Sequence, residues 1–213
     1  MNHRATFLST ATAARNLIAT DDVAARWDDA SALRKMTVGD VAAHLGRAIV
    51  TVDRYLTEIH PTQGERVDAV GYFLAFRNEI GHDIDTELNQ AVRRRAVEAS
   101  ASGHATVLEN IDNALERLAR DLETAPTDMD LSVLGGVRIS LDDYLVTRLV
   151  ELVVHTDDLA VSVGLETPSI NERGLRIAIA ALVDMARRAH GDIAVMRALA
   201  RRERDTAGAL PVL

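Results

Sequence analysis

Glu151 and His155 stand four residues apart in Glu151-Leu152-Val153-Val154-His155, inside a run that reads as helix. At about 3.6 residues per turn, their side chains lie roughly 40° apart on one face and one turn apart in height. A carboxylate and an imidazole so placed can grip one metal ion. Leu149, Val150, Leu152, Val153, Val154 and Leu159 add apolar side chains on nearly every side, which predicts a buried helix. Burying a glutamate costs several kcal/mol unless its charge is compensated. A divalent cation would compensate it, with a third ligand drawn from elsewhere in the chain. His44 is the best candidate. The plainer alternative is a Glu151–His155 hydrogen bond with no metal, because Glu-x-x-x-His recurs by chance in many helices. Asp158, three residues after His155, shares this face and is placed to accept a hydrogen bond from it. A polar residue at a pocket rim would show the same spacing.

Two histidines and a glutamate form a recognised catalytic zinc set that leaves a fourth position to water or substrate. The same ligand types hold non-haem iron. Zinc comes first, and nickel, iron and manganese also suit the donors.

The elements that must position these residues are mostly helical. Hydrophobic residues make up 47% of the 213 and aromatics only 3%, so Ala, Leu and Val carry the core. That favours packed helices over a β-sandwich. Helical spacing predicts long helices near 5–19, 38–58, 84–122 and 141–163. Thr37-Val38-Gly39-Asp40 and Ser140-Leu141-Asp142-Asp143 resemble capping boxes at the second and fourth. His44 falls on the inward stripe of the second helix, with Val41, Leu45, Ala48 and Val52. Ser100-Ala101-Ser102-Gly103 is placed to kink or split the third. A shorter helix is expected at 67–80, and further short ones at 172–188 and 192–203. Residues 131–139, with Gly135-Gly136 as the turn, read as a small β-hairpin. The fold class is therefore all-α, a four-helix bundle with a small hairpin and short C-terminal helices.

A net charge of −8 and a pI of about 5.3 argue against nucleic acid as a partner. Arg93-Arg94-Arg95 and Arg201-Arg202 read as solvated faces or local ion pairs. No apolar run approaches the roughly 18 residues needed to span a membrane. The N-terminus lacks a signal-peptide apolar region, so a cytoplasmic location is expected. Cysteine is absent, which removes disulfides, thiolate zinc sites and a cysteine nucleophile. Any sulfur chemistry needs an external thiol.

Thr37-Val38-Gly39-Asp40-Val41-Ala42-Ala43-His44-Leu45 resembles the Trp-Thr-Val-x-Asp-[Val/Leu]-x-x-His-Leu signature of the mycothiol-dependent maleylpyruvate isomerase family. Arg148 to Ala160 is similar to its second signature, Arg-x-x-Glu-x-x-x-His-x-x-Asp-Leu. The connector with Trp27 and Leu33 is also similar. The resemblance covers roughly residues 5–165. It implies a bundle of the wider DinB-like metalloenzyme superfamily, with a divalent metal held by His44, Glu151 and His155. It further implies a mycothiol-type thiol, a small-molecule substrate, and isomerase or S-transferase chemistry. Position 36 is Met where the family usually has Trp, and position 157 is Asp where an aromatic is common. The segment after Gly164 is short compared with the C-terminal domain of full maleylpyruvate isomerases.

The expected organisation is a metal-binding bundle over residues 1–165 and a short helical extension over 166–213 packing on it. A non-catalytic, stress-linked metal-binding bundle, such as a homodimer, is the alternative to an enzyme. No catalytic residue aligns. Arg77 lies in the right region but reads as an exposed helix residue. His82 and Asp83 flank a helix start, and His3, His60, His104 and His190 are expected at exposed positions. Neither a phosphate-binding loop nor a Gly-x-Ser-x-Gly elbow is present.

Overall fold

The computed structural model describes residues 3–58, 64–75, 85–133 and 136–200, with 203, 210 and 212. Four helices form the bundle: α1 (His3–Ile18), α3 (Val38–Thr57), α6 (His104–Thr124) and α7 (Leu141–Val163). A short α2 (Asp21–Ala25), capped by the Thr20 hydroxyl, follows α1. Between α3 and α6 lie α4 (Ala69–Ala75) and α5 (Glu87–Ser100). After α7 come α8 (Glu172–His190) and α9 (Asp192–Ala200). The all-α reading holds.

Local chemistry sets the ends of the two helices that matter most. Asp40 N–H donates to the Thr37 hydroxyl at 3.1 Å and Thr37 N–H donates to Asp40 Oδ2 at 2.9 Å, a reciprocal capping box. Asp40 Oδ1 also accepts from the Ser100 hydroxyl at 2.6 Å, which ties the start of α3 to the end of α5. Ser140 caps α7, accepting from Asp143 N–H at 3.0 Å. Gly164, at φ 73°, ends α7 in the left-handed conformation that glycine adopts freely.

The expected long third helix is two. The chain breaks at residues 101–103, where Gly103 has a φ of 84° that few side chains tolerate. Only α6 serves as a bundle helix, while α5 packs along α3. The hairpin forms as β2 (Asp130–Val133) and β3 (Val137–Ser140) in antiparallel register, Leu131 opposite Ile139. A two-residue β1 (Arg66–Val67) joins β3 in parallel, giving a three-stranded sheet. Gly135, the expected turn partner of Gly136, lies outside the described residues, as do His60, Arg77, His82 and Asp83.

The core runs through all four bundle helices. Phe7, Ile18, Leu45, Ile49, Leu118, Leu145 and Leu149 are fully buried in it. Ala178, Ala181 and Met185 of α8 join the same cluster. Close approach there depends on Gly174, where an added Cβ would stand 2.5 Å from Thr10 Oγ1. Among the described residues, no helix is long and apolar enough to cross a membrane.

His104 departs from the exposed position expected of it. It is half-buried, its Nε2 lies 2.7 Å from the Ile18 carbonyl, and its ring meets Trp27 edge-on at 5.3 Å. It joins α6 to the end of α1.

Candidate metal centre

Helices α3 and α7 run antiparallel and bring His44 of one against Glu151 and His155 of the other. His44 Nε2 and His155 Nε2 each lie 3.5 Å from Glu151 Oε2. The two imidazoles meet edge-on, with centroids 4.6 Å apart. One donor atom from each residue lies within 4.8 Å of the others, a group that could hold a metal ion. The side chains are 19%, 20% and 20% exposed, sheltered but reachable by a small ligand.

A distance of 3.5 Å is long for a hydrogen bond to a carboxylate. It is close to the spacing of two ligands on one ion. Bonds of about 2.0–2.2 Å in a tetrahedral arrangement separate adjacent donors by about 3.3–3.5 Å. The spacing about Glu151 Oε2 is thus compatible with a shared ion.

His155 Nδ1 lies 2.8 Å from Asp158 Oδ2. A hydrogen bond there places a proton on Nδ1 and leaves Nε2 as the nitrogen that faces Glu151. His44 Nδ1, by contrast, is buried without a hydrogen-bond partner among the described residues.

Burial works against ionisation of Glu151. The imidazoles of His155 and His44 and the Arg148 charge outweigh it, holding the carboxyl well below its ordinary range. Burial pushes His44 down, opposed by Glu151 and reinforced by the charges of His155 and Arg148. Burial also opposes the charged form of His155, but Asp158 and Glu151 outweigh it and raise the group to about 9. The centre therefore combines an ionised carboxylate, a neutral imidazole and an imidazole that must give up a proton before it can bind a metal.

Sequence reasoning singled out all four of these residues, and the fold brings them together. It did not single out Arg47, Thr51 or Tyr144, and took Arg148 only as the first letter of a signature; all four lie on the same faces of α3 and α7. The signal was the same periodicity carried upstream: Arg148 and Tyr144 stand three and seven residues before Glu151.

Fold and site together define a helical bundle carrying a His–Glu–His cluster across two antiparallel helices. The family model of the mycothiol maleylpyruvate isomerase N-terminal domain matches residues 8–160, and the chain belongs to that family. The match spans every bundle helix except the first residues of α1 and the last of α7. Comparison with curated proteins and with solved structures gives no match.

Proposed function

We propose that the protein is a divalent-metal-dependent enzyme that uses a low-molecular-weight thiol, of the mycothiol type, for isomerisation or S-transfer on a small molecule. His44, Glu151 and His155 are the proposed metal ligands, and zinc is the first candidate. The observation that carries this reading is the pair of 3.5 Å separations about Glu151 Oε2. Family membership supports the thiol.

A bound divalent ion would supply Lewis acidity that keeps a thiol as its thiolate at neutral pH. The chain's own residues do the rest. Glu151 brings a negative charge that is ionised across the working pH range. Asp158 accepts the Nδ1 proton of His155 and fixes the ring's tautomer and angle. His44, neutral because it is desolvated, offers a lone pair without first having to lose a proton. With no cysteine in the chain, the attacking sulfur must be the cosubstrate's.

Elemental analysis of the purified protein comes first, with His44→Ala, Glu151→Ala and His155→Ala as controls. Stoichiometric metal is expected in the parent and lost in all three variants. Metal retained by all three would refute the ligand set. Calorimetric titration of the metal-loaded protein with mycothiol and glutathione then tests the thiol. Heat from a thiol that disappears on removing the metal supports the enzyme. Silence with every thiol favours the non-catalytic metal-binding bundle.

A further inference from the structure

Helix α8 carries small and apolar side chains on two stripes. Gly174, Ala178, Ala181 and Met185 form the first, which is buried against the bundle. Leu175, Ile179, Val183 and Ala186 form the second, turned roughly 120° from it at helical spacing. After Gly191, with a φ of 86°, the chain turns back and α9 covers the far half of this second stripe. There Ala186 and Val195 make a small core of their own, with Val183, Ala198, Leu210 and Val212 packed on it. The near half stays open, with Leu175 39% and Ile179 50% exposed.

Helix α9 is itself apolar on two faces. Val195 and Ala198 turn to α8. Ile193, Met196 and Leu199 recur every third residue on the outer face, each more than half exposed. Asp192 and Arg197 are its only charged residues. A helix apolar on nearly every side belongs in an interior, not against water. Five of the seven exposed large hydrophobics among the described residues lie on α8 and α9, so they form a patch and not a scatter. Leu210 and Val212 are already spent on the small core. The segment that continues from α9, Arg201-Arg202-Glu203-Arg204-Asp205, contains no apolar side chain to cover the rest.

The two open patches suit each other. The near half of the α8 stripe is a seat of the kind that α9 fills on the far half, and the outer face of α9 is an apolar ridge with no seat. The seat begins at Glu172, 82% exposed, and the ridge is flanked by the exposed Arg197, so the patches carry opposite signs. A twofold axis sets the ridge of each copy on the seat of the other and covers both patches at once. The five side chains leave roughly 400–500 Å² of apolar surface on each copy, within the range of patches that serve a function. With a polar rim, that approaches the ~800 Å² per partner of a stable interface. We propose that α8 and α9 form a dimerisation face, on which the Ile193, Met196 and Leu199 ridge of each copy of this chain seats on Leu175 and Ile179 of the other. The face is independent of the metal and thiol readings.

Sedimentation velocity of the full chain, from about 1 to 200 µM, reads the assembly directly. A particle of twice 23.2 kDa is expected within that range. Ile179→Glu and Met196→Glu should each weaken self-association by about 100-fold or more, because a carboxylate then enters an apolar contact twice per dimer. Val161→Glu, at an exposed apolar position on α7 outside the face, should leave it unchanged. All three positions are at the surface, and circular dichroism checks that the variants fold. If one face variant does not, the other decides alone. A parent that stays monomeric at the highest concentration overturns the proposal. So do folded face variants that dimerise as tightly as the parent, or a Val161→Glu that dissociates as they do. A monomeric parent that co-sediments with phosphatidylcholine vesicles, and loses this with Met196→Glu, gives the face to a lipid surface and equally overturns the second copy.

Discussion

Replacing Asp158 separates two effects that act on metal affinity in opposite directions. Its carboxylate lies 2.8 Å from His155 Nδ1. In the metal-free protein, burial disfavours the charged imidazole, but Asp158 and Glu151 outweigh it and raise His155 to about 9. A metal arriving at Nε2 must displace a proton from that nitrogen. At pH 7, about two units lower, the displacement costs roughly a hundredfold in apparent affinity. Against this, the Asp158 contact orients the ring and makes Nε2 a better donor, which is worth about 10- to 100-fold. Asp158→Ala removes the orienting contact and the Asp158 share of the proton cost, leaving only the part due to Glu151. Near pH 7 they offset and the variant binds zinc nearly as well as the parent. Near pH 9.5 the parent has already lost its proton, and the variant is weaker by the full 10- to 100-fold. Asp158→Asn, which keeps an acceptor and loses the charge, falls between them. Zinc affinity by competition with a chromogenic chelator, at several values between pH 7 and 9.5, reads this directly. Parallel pH profiles for parent and Asp158→Ala would refute the reasoning, as would a variant equal to the parent at high pH.

Two further predictions concern how α3 is held. An added Cβ at Gly39 would lie 2.6–2.8 Å from the Cε2, Nε1 and Cδ2 atoms of the Trp27 ring. The indole is rigid and its Nε1 already donates to the Ser100 carbonyl at 3.2 Å, so Gly39→Ala should cost about 1–3 kcal/mol and lower the thermal midpoint. An unchanged midpoint would mean that the two do not pack. Arg117 meets Asp53 with Nε at 3.0 Å and Nη2 at 2.7 Å, and the Asp53 side chain is 9% exposed. Arg117 itself is 45% exposed, so solvent weakens the pair, and Arg117→Ala should lower stability only modestly in denaturant unfolding. If Asp53→Asn abolishes most of that cost, it comes from stranding a buried carboxylate. If it does not, the loss is one of packing by the Arg117 stem.

The parts legible in the sequence are those whose cause is local. Thr37 and Asp40 satisfy each other across one turn, so the start of α3 shows in four residues. Gly103 marks a break because its backbone conformation penalises other residues wherever the chain goes next. Strand β1 has no such signature. Arg66 and Val67 become strand only because β3, more than seventy residues later, offers its edge, and two residues carry no periodicity. His104 was misread for the same reason. Nothing near it in sequence announces the Ile18 carbonyl and the Trp27 ring that enclose it.

The site divides along the same line. Glu151, His155 and Asp158 share one face of one helix, so spacing alone groups them. His44 joins them through its stripe on α3 and its signature. Thr51 acquires meaning only once α3 and α7 are paired, because it answers Tyr144 on the other helix. Yet His44 opposite Glu151 already fixes an antiparallel register, and that register sets Thr51 against Tyr144. One correctly paired contact thus carries information two turns away. It changes the reading of Arg148 from a letter in a signature to a half-buried cation stacked on Tyr144 and Tyr72, whose charge helps hold Glu151 ionised.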